Sequence, residues 1–276
     1  MLQRGRGAAI WLATTGLAIF IAGNWVKPPP KDFADELSIV LNVPLQIITS
    51  ACDRYLAANA GVWRAIVVDA TKMSPSTLSA LAKIQEDASW LNPAHEDNYY
   101  IAAAILPWEG EVARGQTILA RAMEARHGDI LPAFFYGFNQ LQFLGDWKGA
   151  YKAALIGAER AGNDGDRQLM TVMAARWSER SDDLDSAIRA TKRLAENSKD
   201  KALQDYLRQR LRRLENLGGL RMAAREFERR TGQKLSSLDE LISAGLISQI
   251  PPDEVGLGYE VVNHLPVLRE KHSGNK

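Results

Sequence analysis

Four histidines and one cysteine are the side chains of this 276-residue chain best suited to metal or nucleophilic chemistry. The histidines are His95, His127, His264 and His272, and none stands three or four residues from another. No helical turn can therefore bring two imidazoles to one ion. Cys52 is alone, so it forms neither an internal disulfide nor a thiolate framework, and its residue type predicts a small apolar core position. His95-Glu96-Asp97 opens a helix, where the acids suit the dipole, and His127 falls at a helix C-terminal end, where a cation does. There is no glycine loop to cradle a phosphate, no serine elbow and no supported thiol–histidine arrangement. Met170, Met173 and Trp177 read as core rather than as a cofactor box. No catalytic residue, metal or cofactor is expected, and an enzyme built on His95 or Asp253 is set aside. What remains is recognition, which depends on the elements that shape a surface.

Hydrophobic residues make up 46% and charged residues 24%, the balance of a folded body. The formal net charge of +1 gives no global pull toward nucleic acid. From Gly7 to Val26 there is no charged residue. As a helix this run would span roughly 30 Å, the thickness of a bilayer core. Arg4 and Arg6 precede it, and Trp11 and Trp25 lie near its ends, where aromatic rings prefer the interface. Residues 1–26 are thus expected to be an uncleaved transmembrane anchor. A cut after Gly23 would leave Ile21 three residues away, a poor site for a signal peptidase. The positive flank predicts a cytoplasmic N-terminus. The remainder would then be periplasmic, on a single-pass protein of a bacterial inner membrane. Pro28, Pro29 and Pro30 end the helix and form a stiff exit.

Further on the chain repeats itself. Aligning FFYGFNQLQFLGDWKGAYKAALIGAE with YYIAAAILPWEGEVARGQTILARAME sets Phe134 on Tyr99, Gly137 on Ala102, Leu141 on Leu106, Gly145 on Gly110, Ala150 on Gly115 and Gly157 on Ala122, an offset of 35 residues. A third copy carries Thr171, Ala174, Ala175 and Ser178, then Ala187, Thr191 and Leu194. A fourth lies upstream, with Val62–Met73 and Pro75–Trp90 as its two helices. A period near 34 residues built as helix–turn–helix marks a repeat array, in which each hairpin buries one face on itself and the other on its neighbour. These residues resemble the tetratricopeptide repeat, most closely in the copy with Phe134, Gly137, Leu141, Gly145-Asp146-Trp147, Ala150 and Gly157. Ala154 departs from the aromatic common in that slot. Pro107 shortens the first helix of the Tyr99 copy.

The expected organisation is all-α: the anchor (1–26), a proline-rich linker with N-terminal capping helices (27–61), repeats (62–199), a capping helix (200–217), a C-terminal helical tail ending in a short strand (218–265), and a disordered end (266–276). The capping helix buries Leu203, Tyr206, Leu207, Leu211 and Leu214 on one face. Arg208, Arg210, Arg212 and Arg213 read as its solvated face. Gly218-Gly219 is expected to break the chain and Thr231-Gly232 to stop the next helix. Ser236 or Ser237 should cap a short helix with Glu240 near capping-box spacing. The tail resembles one found after bacterial repeat domains and in pseudopilin-like secretion proteins. Pro251, Asp253, Gly256 and Tyr259 match its Pro-x-Asp…Gly-x-x-Tyr pattern, and Glu254 replaces a usual proline. In that family the motif is structural.

In tetratricopeptide arrays the first helices line a concave groove for peptides or partner helices. The resemblance implies that the groove here presents Tyr100 and Trp108 from one copy, Phe135, Asn139, Gln142 and Phe143 from the next, and Arg176 and Arg180 from the third. The aromatics would anchor apolar side chains. Asn139 would hold a ligand backbone, and the arginine pair a carboxylate. The alternative is that some of these aromatics pack on the N-terminal cap. The implied partners are proteins and a membrane, with no nucleic acid and no small-molecule substrate. The implied role is a membrane-anchored scaffold in an envelope or secretion assembly, or else a structural accessory subunit of a membrane enzyme.

Overall fold

The computed structural model describes residues 40–67, 73–181, 183–254 and 256–269. Eleven helices and one hairpin are described: α1 (Val43–Thr49), α2 (Arg54–Ile66), α3 (Pro75–Leu91), α4 (Glu96–Ile105), α5 (Val112–Ala125), α6 (Leu131–Gln142), α7 (Trp147–Arg160), α8 (Asp164–Ser178), α9 (Leu184–Asn197), α10 (Lys201–Thr231), α11 (Asp239–Ser243), β1 (Tyr259–Val262) and β2 (Leu265–Leu268). The expected anchor and the proline exit lie outside the described residues, and no described helix is long and apolar enough to cross a membrane.

Local chemistry explains where most helices begin. Asn42, Asp53, Ser74, Asp146, Asn163, Asp183 and Asp200 each accept a backbone N–H in the first turn of α1, α2, α3, α7, α8, α9 and α10 respectively. Such caps contribute about 1 kcal/mol each. The helices then pair as hairpins α2/α3, α4/α5, α6/α7 and α8/α9. Each packs mainly on its neighbours in sequence, the pattern of a helical repeat stack. Helices α4 and α6 begin at residues 96 and 131, and α5 and α7 at 112 and 147, the 35-residue offset read from the sequence. Gly110 and Gly145, aligned in that offset, both hold positive φ (90° and 64°) in the turns inside the hairpins. Left-handed backbone favours glycine, so the repeat conserves the turn as well as the packing face.

Small residues set the interhelical distances. Ala102, Leu106, Leu119 and Ala122 are buried in one copy, and Ala150, Ala154 and Gly137 in the next. In the third copy Ala174, Ala175, Ser178, Ala187, Thr191 and Leu194 are buried. Met170 and Trp177 belong to the same core, with Met173 packed against it. Consecutive repeats are also tied by polar contacts. The Tyr99 hydroxyl donates to Asp129 Oδ2 at 2.8 Å, and Arg126 Nε donates to the same oxygen at 2.7 Å. Burial alone would raise the Asp129 carboxyl. Arg126, the Leu131 N–H and Tyr99 outweigh it and hold that carboxyl below its usual range. Burial, then Asp129, pushes the Tyr99 phenol well above its usual range.

Several elements differ from the sequence expectation. Asp53 starts α2 at Arg54, so the first helix of the upstream copy runs across the 61/62 boundary rather than starting at Val62. Pro44 sits in the first turn of α1, a position that needs no backbone donor. Cys52 is exposed, not core: Ala51 and Cys52 form the α1–α2 turn with φ of 54° and 63°, which leaves the side chain outside the packing. Gly218-Gly219 does not break the chain, because α10 runs on for 31 residues. Two interior glycines cost a helix about 2 kcal/mol. Leu214, Leu217, Leu220, Ala224 and Phe227, buried along one side, offset that cost. Gly232 (φ 68°) then ends α10 as expected. The expected serine cap does not form: Leu238 holds the N-cap position of α11 without a side-chain bond, and Glu240 accepts the Ser236 N–H at 2.9 Å from outside capping-box spacing. The strand at Tyr259 has an antiparallel partner in β2, where residues 266–268 were expected to be disordered. Asn263 and His264, at φ 50° and 68°, make the two-residue turn between them.

Candidate functional site

The residues expected to line the groove separate into three groups. Tyr100 packs edge-on to Phe135 with ring centroids 5.8 Å apart, joining α4 to α6. Trp108, in the turn after α4, meets Phe143 edge-on at 5.0 Å and Phe138 at 6.4 Å. Trp108 remains 60% exposed, and Gln142 is exposed beside Phe143. These aromatics pack on one another across the α4–α6 junction. The N-terminal α1 instead packs through Val43 and Ile47 on Ala57, Ala58 and Leu91.

Asn139 does not face a groove. It is 2% exposed and donates through Nδ2 to Gln116 Oε1 at 3.3 Å. Gln116 Nε2 in turn donates to the Tyr136 carbonyl. This buried amide pair locks α5 to α6, which removes the backbone-holding role that the resemblance implied. A buried amide must find a partner, and here Gln116 supplies it.

Arg176 and Arg180 are exposed, at the end of α8. They line a cavity of about 400 Å³ walled by α8, α10 and β2, whose floor includes Leu184, Leu214 and Leu217. Beside this cavity lies a buried ionic cluster. Arg210 Nε donates to Glu179 Oε1 at 2.7 Å, and its Nη2 pairs with Glu179 Oε2. Arg213 Nη1 approaches Glu179 Oε2 at 3.5 Å, and Arg213 Nε donates to Asp253 Oδ2 at 2.9 Å. All four side chains are below 10% exposed. Burial alone would lower the Arg210 pKa; Glu179 and Tyr206 outweigh it, raise it, and keep the guanidinium charged. Arg210 and Arg213 are therefore not part of a solvated face. Of the other two, Arg212 pairs with Glu254 at 2.7 Å and Arg208 approaches Asp205 at 3.6 Å.

The cluster explains the tail motif. Asp253 Oδ2 also accepts the Gly258 N–H at 2.9 Å. A Cβ at Gly256 would lie 2.5 Å from Arg213 Cζ, so only glycine fits. The Tyr259 hydroxyl donates to the Arg213 carbonyl at 3.3 Å, and burial raises the pKa of that phenol. Together these three residues dock the C-terminal hairpin onto α10. Among the described residues no group of three His, Cys, Asp or Glu side chains could hold a metal ion.

One further surface was not anticipated. On α2 the residues turned inward are small, namely Ala57, Ala58, Val62 and Ala65. Tyr55, Leu56, Trp63, Ile66 and the following Val67 face outward, between 48% and 68% exposed. Helical spacing puts these large residues on one side. The signal was present in the sequence as big and small residues on opposite faces, but composition does not say which face is buried. No protein-family model matches this chain, and no curated protein or solved structure matches it either.

Proposed function

We propose that this protein is a membrane-anchored, tetratricopeptide-like adaptor that holds a partner protein on the α4–α6 aromatic face, within a bacterial envelope or secretion-type assembly. The observation that carries this reading is the exposed Trp108 braced by Phe143 and Phe138, beside Tyr100 and Phe135. A large aromatic held rigidly yet left in water is the kind of residue that dominates binding energy at interfaces. The helical repeat-like stack supports the scaffold role. The uncharged Gly7–Val26 run supports the anchor. The outward apolar stripe on α2 supports seating near a bilayer, since Tyr55 and Trp63 suit the interface. It lies within the reach of the linker, because residues 27–39 can extend over at most about 45 Å.

A Trp108→Ala, Phe143→Ala variant is expected to lose the partner in native-level co-purification, with helical content by circular dichroism unchanged. Undiminished recovery of the partner would refute the aromatic face as the docking site. Asn139→Ala, by contrast, should act on stability alone, at about 1–3 kcal/mol, because it orphans Gln116 in the core.

The accessory-subunit alternative rests on the small residues of the apolar run, Gly7, Ala8, Gly16, Ala18, Ala22 and Gly23, which would let other transmembrane helices approach closely. A fixed stoichiometry distinguishes it from a transient assembly factor.

A further inference from the structure

Exposed apolar side chains are not spread evenly over the described surface. Eight large ones fall within residues 41–67, on and beside α1 and α2, against only Trp108 and Leu144 in the longer span 96–160. On α1 the outward pair is Leu45 and Ile48, three residues apart; on α2 the stripe runs through Leu56, Trp63 and Val67, seven and four apart. That spacing keeps each set on one side of its helix. The opposite sides are already in use, since Val43 and Ile47 of α1 pack on Ala57, Ala58 and Leu91. Charge is sparse here. Asp53 is the one acid in residues 40–67, and its carboxylate caps α2. Arg54 stands beside Tyr55, its guanidinium carbon 5.5 Å from the ring centroid. An apolar helix face that carries Trp and Tyr with a basic flank has the composition of a helix lying in a membrane interface.

We propose that the outward faces of α1 and α2 lie in the lipid headgroup region of the membrane that holds the anchor, and so fix the orientation of the repeat stack to the bilayer. This docking rests on the anchored reading of residues 7–26 and adds a second membrane contact to it. Reach and area both favour lipid over a second protein copy. Residues 27–39 alone separate the apolar run from Val40, and fully extended they cover at most about 45 Å. The face is thus confined to the neighbourhood of the bilayer, and a tethered contact needs little intrinsic affinity. As for area, the 13 residues of α2 make a helix about 20 Å long, so a stripe about 10 Å wide covers about 200 Å². Even with the shorter α1 added, this falls well below the roughly 800 Å² per partner of a stable protein interface. Lipid imposes no such threshold, because partition scales with whatever apolar area is buried. This surface is separate from the α4–α6 aromatic face, which stays free for a protein partner.

Cys52 supplies the probe. It is the one cysteine of the chain, and it is exposed in the turn that joins the two helices. The full chain would be labelled there with an environment-sensitive fluorophore and reconstituted into vesicles of phosphatidylethanolamine and phosphatidylglycerol. Flotation with the vesicles after an alkaline carbonate wash reads the anchor. Quenching of the label, by nitroxide on the lipid chains or by iodide in the water, reads the docking. The expected result is flotation, loss of most of the emission to the lipid nitroxide, and protection from iodide. An Ile48→Ser, Trp63→Ser variant, at positions 62% and 68% exposed, should float equally and keep its helical content. Its label should lose the lipid quenching and become open to iodide. A parent chain that floats with its label open to iodide overturns the docking and leaves the anchor standing. A label shielded from both quenchers means that protein covers the face and overturns the docking too; a Cys52–Cys52 bismaleimide cross-link would then identify a second copy. Equal lipid quenching in parent and variant is a further contradiction. A chain that does not float overturns anchor and docking together.

Discussion

An Arg213→Ala variant is expected to lose about 3–5 kcal/mol of stability, the cost of removing one partner from a buried ion pair. The Asp253 side chain is 1% exposed and would lose its buried Arg213 partner while still accepting the Gly258 N–H. Glu179 would retain Arg210 but lose its second cation. The effect should appear as a lowered urea midpoint and as faster amide exchange through residues 256–269, because the hairpin docks through this cluster. Arg213→Lys keeps the charge but not the fork, and a smaller loss is expected. A loss below about 1 kcal/mol for the alanine variant is typical of an exposed pair. That result would show that the C-terminal hairpin does not depend on the cluster.

The second large effect is steric. A Cβ on Gly137 would lie 2.8 Å from Trp177 Cη2, closer still to Cζ3, and 3.1 Å from the Ala150 carbonyl. Trp177 is 5% exposed and packs on Phe134, so its ring has no space to yield. Gly137→Val is therefore expected to cost about 3 kcal/mol, the upper end for overpacking a core. The contact joins α6, α7 and α8, so the loss falls on the junction between two repeats. Gly219→Ala is the counterpart. A Cβ there meets nothing within 4 Å, and the helix should gain up to about 1 kcal/mol. Opposite shifts of the urea midpoint are predicted for the two variants. Shifts of the same sign would contradict the packing of α6 against Trp177.

These effects also mark what the sequence could and could not reveal. The repeat was legible because its signals are local and periodic: small residues at helical spacing, and Gly110 and Gly145 at left-handed turns. Asx and Ser caps mark most helix starts, but the Asp53 cap contradicts a start at Val62 and the expected Ser236 or Ser237 cap does not form. The fate of Arg210 and Arg213 was not legible, because their partners lie 31 and 40 residues away in the chain. Nothing in the period of α10 distinguishes a buried arginine from a solvated one. Motif residues Asp253, Gly256 and Tyr259 were visible, but the side chain they enclose was not. Gly218-Gly219 misled for the same reason, since tertiary packing outweighed propensity. The second strand could have been found: Tyr259–Val262 and Leu265–Leu268 flank Asn263-His264, two residues between runs of strand formers, which is a hairpin signal. The aromatics expected to line a groove pack on one another, Tyr100 on Phe135 and Trp108 on Phe143, contacts between copies that the repeat spacing alone does not reveal. Asn139 does not serve the groove because Gln116, one helix away, offers its amide a buried partner that the repeat pattern does not specify. Arg176 and Arg180 proved to belong to a different concavity.

A membrane-held adaptor should leave the membrane intact and in company. Native membranes would be extracted in mild detergent and resolved by size exclusion, and the chain and its companions identified by intact mass. The expected result is a membrane-extracted chain that retains its first 26 residues and co-elutes with a partner protein. That partner should be absent from the Trp108→Ala, Phe143→Ala preparation. A chain that begins near Asn24 and elutes alone would contradict both the anchor and the adaptor role.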